Sequence, residues 1–236
     1  MAELMRLQKY LSRAGICSRR KAEEYIEKGF IKINGETATI GQSVDPDKDK
    51  VELLDDVVED AKKLVYYKLN KPRGIVTTCV SKGETGIMDI VDIPTRVFPI
   101  GRLDKETTGL IILTNDGRLA NYLMHPRYNH EKEYIVETFG PIEDKNIQIM
   151  RDGIFILGSY TKEAKVERLS SGKFSITISE GKNRQIRRMV EHVGGTVKKL
   201  KRIRIENIQL GDLEPGDYQE LSKREKDALF TKLGIK

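Results

Sequence analysis

The sequence predicts an α+β protein of two unequal domains: a small helix-pair and β unit, then a mixed, mainly antiparallel β-sheet with flanking helices. Three observations carry this prediction. The first 60 residues hold two short stretches of helical spacing followed by short strands around a hairpin turn. A like-charged run, Asp55 to Asp60 with Ala61-Lys62-Lys63 after it, then reads as an extended, solvated connection. Beyond it, strands follow strands with helices between them, the pattern of an α+β sheet. The 236 residues thus divide into 1–60, a linker over about 55–63, and 64–236, all within ordinary domain sizes.

In the first domain, Leu7, Tyr10, Leu11 and Ala14 recur at helical spacing. Arg6, Lys9 and Arg13 fall on another face of that helix, and Gly15 stops it. Ser18 is a good N-cap for a helix through Lys21 to Glu27, with Ala22, Tyr25 and Ile26 inward. Gly29 closes it. Phe30, Ile31 and Ile33 make a strand, Asn34-Gly35 the hairpin turn, and Thr37 to Ile40 the return. Val51 to Leu54 adds another strand. The string MRLQKYLSRAGICSRRKAEEYIEKGFIKINGE resembles the S4 RNA-binding domain. That resemblance implies a helix pair on a small sheet, with Arg6, Lys9, Arg13, Arg19, Arg20 and Lys21 facing RNA. It says that RNA is bound, not what is done to it.

In the larger region, Val65 to Leu69 and Ile75 to Thr78 read as strands around the Lys71-Pro72-Arg73-Gly74 turn. Leu110 to Thr114 is an apolar strand, and Asp116 to Met124 a helix ending near Pro126. Glu133 to Thr138 alternates as a strand, and Ile142 to Met150 is helical. Thr161 to Glu167 and Phe174 to Ile178 are strands. Asn183 to Val193 is a helix ended by Gly194-Gly195. Arg202 to Leu210 is the final strand, with a short helix after Ser222.

The charge is focused. Arg6 to Lys32 carries eight Lys/Arg against three acids, +5, and Gly181 to Arg204 carries nine against one, +8, where the whole chain has only +6. Focused positive charge is the electrostatic footprint of nucleic-acid binding. The plainer reading is two solvated helix faces. Other classes are excluded more firmly. The apolar runs are too short for a transmembrane helix, and MAELMRLQKY lacks the apolar core of a signal peptide. Cys17 and Cys79 stand far apart and form neither a metal pair nor a disulfide framework, which points to a reducing, cytoplasmic compartment. No glycine-rich phosphate loop, Cys-x-x-Cys, His-Glu-x-x-His or zinc-deaminase pattern occurs, so no cofactor and no metal are expected. His125, His130 and His192 are scattered and lack a triad context. With no Trp, any base stacking falls to Tyr, Phe or Arg.

The most unusual string is FPIGRLDKETTGLIILTNDG, in which a loop carrying Asp104 lies between Gly101 and Gly109 and runs into an apolar strand. Catalytic groups often sit on loops held by a rigid scaffold. A lone loop aspartate is more often a turn former or cap. The motif GRLDKETTGLIILTNDG nevertheless looks like the catalytic motif of pseudouridine synthases. KLNKPRGIVTT, HEKEYIV and EGKNRQIRRMVEHVGGTVKKLKRIRI agree with that family in the same order. Within it the chain is most similar to the branch of small-subunit synthase A and large-subunit synthases B, E and F, and to the F type in particular. The resemblance spans nearly the whole chain. Thr108 stands where many relatives carry Ser, and the long basic tail of some F-type relatives is absent, which leaves tail-dependent RNA contacts in doubt.

The resemblance implies an isomerase that converts a specific uridine to pseudouridine, most closely in 23S large-subunit rRNA. Asp104 matches the family's essential aspartate, Tyr134 the tyrosine that stacks on the target base, and Arg187 the basic residue paired with the aspartate. Arg102 matches the side chain that fills the gap left by the flipped nucleotide. Asn183, Arg184 and Arg188 read as RNA-contacting or helix-positioning. The simpler roles stay open from the residues alone: a half-buried sheet tyrosine for Tyr134 and a phosphate contact for Arg187. Whether the carboxylate attacks the ribose or removes a ribose proton is also open. Two alternatives accompany this expectation: a non-enzymatic RNA-binding assembly factor, and the same chemistry on 16S rRNA or a tRNA loop. RNA is the expected partner, no membrane is, and a single chain with one site suggests a monomer.

Overall fold

The computed structural model of the chain describes residues 4–59, 63–78 and 83–235. Cys79 and the 60–62 part of the expected linker lie outside the described residues. Two compact units form. One comprises Met1–Val65, Ile93–Val97 and Asn115–Gly117, the other Tyr66–Asp92, Phe98–Thr114 and Arg118–Lys236.

The first unit begins with β1 (Met5–Arg6), α1 (Leu7–Arg13) and α2 (Arg19–Glu27). Then come β2 (Ile31–Ile33), β3 (Glu36–Thr37), β4 (Ser43–Val44), β5 (Val51–Leu53) and β6 (Asp56–Val57). Ser18 caps α2 as expected, its hydroxyl accepting from the Lys21 amide at 3.2 Å. Asn34 and Gly35 take φ of 53° and 86°, the paired positive values of a tight hairpin turn between β2 and β3. Leu7, Leu11, Ala22, Ile26, Ile31 and Val51 meet in a core of their own. The acidic run behaves differently from the extended linker expected of it. Asp56–Val57 pairs with Glu52 and Leu53 as the edge of a β3-β2-β5-β6 sheet. Charge suits an edge strand, because it discourages pairing with other chains. The Lys32 ammonium, 2.7 Å from Asp55, relieves the local repulsion. Val58 is buried behind it, and its carbonyl accepts from the Tyr10 hydroxyl at 3.0 Å.

The second unit runs β7 (Tyr66–Lys71), β8 (Phe98–Ile100), β9 (Thr108–Thr114), α3 (Gly117–Met124), β10 (Lys132–Thr138) and α4 (Asp144–Asp152). It continues with β11 (Phe155–Ile156), β12 (Ser159–Tyr160), β13 (Lys165–Ser170), β14 (Lys173–Ile178) and α5 (Gln185–His192). It ends with β15 (Val197–Ile205), β16 (Ile208–Gln209), β17 (Tyr218–Glu220) and α6 (Lys223–Leu233). Among the described residues nine strands join in one sheet, ordered β13-β14-β10-β15-β9-β7-β17, with β16 on β15 and β8 on β9. This is the α+β, mainly antiparallel architecture that the pattern predicts.

Several details differ from the expectation. The strand expected at Thr161–Glu167 lies at Lys165–Ser170. Ile75–Thr78 is not a strand; Val76 makes a single bridge to Gly86, and the Thr77 hydroxyl is engaged by the Leu103 backbone. The last long strand is not Arg202–Leu210 but Val197–Ile205, which turns at Glu206 (φ 50°) into the short β16. The lysines of VKKLKRIRI mask a strand whose alternate members Leu200 and Arg202 are buried.

The sheet has two halves, each with its own core. Val136, Ile147, Met150, Phe174, Ile176 and Met189 pack around β10, β14, α4 and α5. Tyr66, Leu110, Ile112, Leu119, Leu123 and Leu229 pack around β7, β9, α3 and α6. The halves meet where β9 and β15 run parallel, with Thr108 opposite Lys201 and Gly109 opposite Arg202. Gly109 has φ of 104°, and a Cβ there would fall 2.1 Å from the Arg202 carbonyl oxygen, so only glycine fits. This junction brings the Asp104 loop, just ahead of β9, against β10 and α5 of the other half.

Candidate active site

The Asp104 loop is fixed by its backbone. The Thr107 amide donates to the Asp104 carbonyl at 3.0 Å, closing a turn. The buried Thr77 hydroxyl donates to the Leu103 carbonyl at 2.8 Å and accepts from the Leu103 amide at 3.2 Å. From below, the Lys71 ammonium at the end of β7 donates to the carbonyls of Pro72 at 2.9 Å, Ile75 at 2.7 Å and Lys105 at 3.3 Å. A side chain with no exposed surface thus ties the turn after β7 to the loop bearing Asp104.

Burial pushes the Lys71 ammonium down to a pKa of about 8, against the opposing pull of Glu106 and Asp104. An unfolded lysine keeps its proton to about 10.4. Between these values the folded chain releases a proton that the unfolded chain holds, so this group makes stability rise with pH across that window. Lys71→Met is expected to abolish the rise. It is also expected to lower stability near neutral pH by about 2 kcal/mol, because three carbonyls lose their donor. Urea unfolding followed from about pH 7 to about pH 10 checks both effects.

Above this support lies a cleft of about 680 Å³. Its apolar part is Leu103, Ile178, Ile186 and Leu200, and its polar rim includes Asp104, Arg102, Lys182, Asn183 and Arg184. Tyr134, on β10 and only 8% exposed, also lines it. The Arg202 guanidinium lies 6.0 Å from the centre of the Tyr134 ring, and its Nε donates to the Leu110 carbonyl at 2.7 Å. One arginine therefore touches both Tyr134 and the strand that follows the Asp104 loop.

Asp104 is partly open to solvent, and two guanidinium groups face it. Arg184 Nη1 lies 3.7 Å and Arg187 Nε 3.9 Å from its Oδ2. Arg184 precedes α5 in a left-handed conformation, φ 51°, which turns it back toward the cleft mouth. Arg187 is buried in the first turn of α5 and donates through Nη2 to Thr107 Oγ1 at 3.5 Å. Burial, then the neighbouring Arg184 charge, push the Arg187 pKa down; Asp104 and Glu106 pull it back up. Its Nε is buried without a hydrogen-bond partner. The set can hold an ionised carboxylate beside a planar ring of nucleobase size.

The remaining sequence candidates fall as follows. Arg102 is exposed at the rim. Asn183 is exposed, and Arg188 donates to its carbonyl at 3.1 Å, bracing the loop before α5. In the first unit Lys9, Arg19 and Arg20 are exposed, and Arg6 donates to the Gly41 carbonyl. Arg13 lies 6.0 Å from the centre of the Tyr10 ring. Lys21 pairs with Glu24 at 2.6 Å. The geometry adds groups that the residues alone did not single out: Lys71, Thr77, Thr107 and Arg202. Only their neighbours in space reveal them, since each looks like an ordinary strand or loop residue in the sequence.

Comparison with known proteins gives the family. Residues 65–192 match the family model of RNA pseudouridylate synthases, and residues 5–49 match that of the S4 domain. The chain therefore belongs to the RNA pseudouridylate synthase family, as an isomerase acting on RNA, with an S4 domain at its N-terminal end. It is 47% identical over 228 residues to the dual-specificity RNA pseudouridine synthase RluF of Escherichia coli O157:H7, covering 96% of this chain and 78% of that one. It is 41% identical over 229 residues to ribosomal large subunit pseudouridine synthase B of Bacillus subtilis (strain 168), covering 93% of each. A crystal structure of a pseudouridylate synthase shares the fold at a TM-score of 0.70 and 32% identity, over 95% of this chain and 99% of that one. The family resemblance carried by the four ordered motifs is borne out, and the reading as a non-enzymatic assembly factor is set aside. No helix among the described residues is long and apolar enough to cross a membrane.

Proposed function

We propose that the chain isomerises a specific uridine of ribosomal RNA, in the 23S large-subunit RNA, with Asp104 as the catalytic carboxylate. The observation that carries this is the placement of Asp104 in the cleft, 3.7 and 3.9 Å from two guanidinium groups, with Tyr134 lining the same cleft. Either role of the carboxylate, attack on the ribose or removal of a ribose proton, needs the ionised form, which neighbouring cations favour. Arg187, held by Thr107, faces the carboxylate at 3.9 Å, a separation of the loose kind that catalytic contacts often show before substrate binds. The uridine must leave its stack, which costs a few kcal/mol. Tyr134 offers a ring face to the flipped base, and Arg102 at the rim takes the vacated space. The rearrangement is internal to the nucleotide, so the step consumes no second substrate.

In this reading residues 1–60 anchor RNA through Arg6, Lys9, Arg13, Arg19, Arg20 and Lys21, and residues 64–236 carry the chemistry. Asn183, Arg184 and Arg188 contact RNA at the cleft mouth. The enzyme works as a monomer in the cytoplasm. A second target is supported by the dual-specificity name of a relative at 47% identity, and a tRNA loop is the candidate for it. Mapping pseudouridine in total RNA from cells with and without the gene tests the target: one 23S site should vanish, and a tRNA site with it if the second target is real. Loss confined to 16S RNA, or no loss at all, would overturn the assignment.

The anchor has a separate signature. Each phosphate contact contributes about 0.7–0.9 to the slope of log affinity against log salt. Lys9→Ala/Arg13→Ala is therefore expected to reduce that slope by roughly 1.5. Filter binding across a salt series checks this, and an unchanged slope removes these two residues from the interface.

A further inference from the structure

Beside the cleft, β11 and β12 form a two-residue hairpin whose outward side is apolar. Phe155 is 53% exposed, Leu157 54% and Tyr160 72%. Phe155 and Tyr160 are cross-strand partners, with ring centres 5.3 Å apart and planes at 69°. At the tip, Leu157 takes φ of 50° ahead of Gly158 at 80°. A bulky residue in the left-handed region is strained, and such strain gathers where a structure serves a purpose other than packing.

The base of the hairpin is rigid. Ile156 is buried in the core beneath β10 and β14. The Ile154 amide donates to Thr161 Oγ1 at 2.9 Å. At Gly153 a Cβ would lie 2.6 Å from the Thr161 carbonyl oxygen. Lys182 joins the hairpin to the cleft: its ammonium donates to the Ser159 carbonyl at 3.1 Å, the Ser159 hydroxyl at 2.8 Å and the Tyr160 carbonyl at 2.6 Å. Lys182 itself lines the cleft. Through Lys182 the strand bearing Tyr160 is thus tied directly to a residue of the cleft lining.

We propose that this hairpin is a stacking platform for the unpaired nucleotides that flank the flipped uridine. The inference rests on the reading of the cleft as the uridine site. Contiguous exposed apolar side chains mark an interaction surface. The surface offers ring faces, and unpaired RNA is held by stacking its bases on such faces. Flipping one uridine leaves its neighbours without a stacking partner, and the platform supplies one. The adjoining rim carries Lys182, Arg184 and Arg188 against Glu180 and the partly exposed Asp104, a net positive stretch that suits the phosphates that must run between platform and cleft.

The test uses the full chain and deproteinised RNA from cells lacking the gene. Phe155→Leu/Tyr160→Leu keeps apolar bulk and removes the rings. It is expected to raise the RNA concentration giving half the single-turnover rate about tenfold, while the plateau rate moves less than about twofold. Phe155→Tyr/Tyr160→Phe restores rings at both places and is expected to behave as the unaltered chain. An unchanged half-saturation in the leucine variant overturns the proposal, and so does equal weakening in both double variants. Weakening seen with ribosomal particles but not with deproteinised RNA assigns the hairpin to a protein partner and likewise overturns it. If the unaltered chain makes no pseudouridine, the uridine reading of the cleft falls. Filter binding of the same variants to the same RNA then still decides the platform.

Discussion

Asp104→Asn is expected to slow pseudouridine formation by about 10,000-fold or more, which nucleoside mass spectrometry on single-turnover reactions measures. The substitution keeps shape and removes the charge that either route requires. RNA affinity should change less than about threefold, because removing one acid from a basic rim adds no repulsion toward phosphate. A variant that retains a tenth of the rate would remove Asp104 from the chemistry. Arg187→Lys is the informative companion. It keeps a positive charge but loses the planar fork that spans Thr107 and Asp104. The expected result is a lower plateau rate with nearly unchanged half-saturation. A change in half-saturation alone would instead make Arg187 a phosphate contact.

Gly109→Ala is expected to be the most damaging single methyl group in the chain. The added carbon would sit 2.1 Å from the Arg202 carbonyl oxygen and 2.7 Å from its nitrogen, at a φ of 104°. Both obstacles are backbone, so the parallel pair of β9 and β15 must part. A loss above about 4 kcal/mol, or failure to accumulate folded protein, is the expected outcome in urea unfolding. Gly117→Ala is the control. No neighbour stands within 4 Å of its added carbon, and its φ is not in the left-handed region. It should stay within about 1 kcal/mol of the unaltered chain. Equal effects at the two glycines would mean that the junction between the sheet halves is more yielding than its geometry indicates.

Much of the architecture was legible because its signals are local. The Ser18 cap, the Asn34-Gly35 turn and the apolar run of β9 each depend on a few adjacent residues, and each lies where the pattern places it. The errors arose where long-range pairing overrides composition. Asp56–Val57 looks solvated, yet pairs because Glu52 and Leu53 present a free edge. In VKKLKRIRI the crowded lysines hide the start of the strand, which the pattern places at Arg202, although Leu200 and Arg202 on its other face are buried. The candidate site shows the same division. Asp104, Tyr134 and Arg187 were nameable through motifs, and they line or adjoin one cleft. Lys71, Thr77 and Arg202 were not, because each also bonds a residue remote in sequence, Lys105 for Lys71, Leu103 for Thr77 and Leu110 for Arg202, at gaps of 34, 26 and 92 positions.

The parallel pairing of Thr108 with Lys201 has a temporal consequence. These partners stand 93 positions apart, 108 to 201, and every pairing inside either half is closer in sequence than a link of that kind unless it involves the last strand. Closing so long a loop is entropically late. On the ribosome, Asp104 and its loop emerge well before α5 and β15 exist to meet them. The cleft closes only after synthesis has passed Ile205, the end of β15.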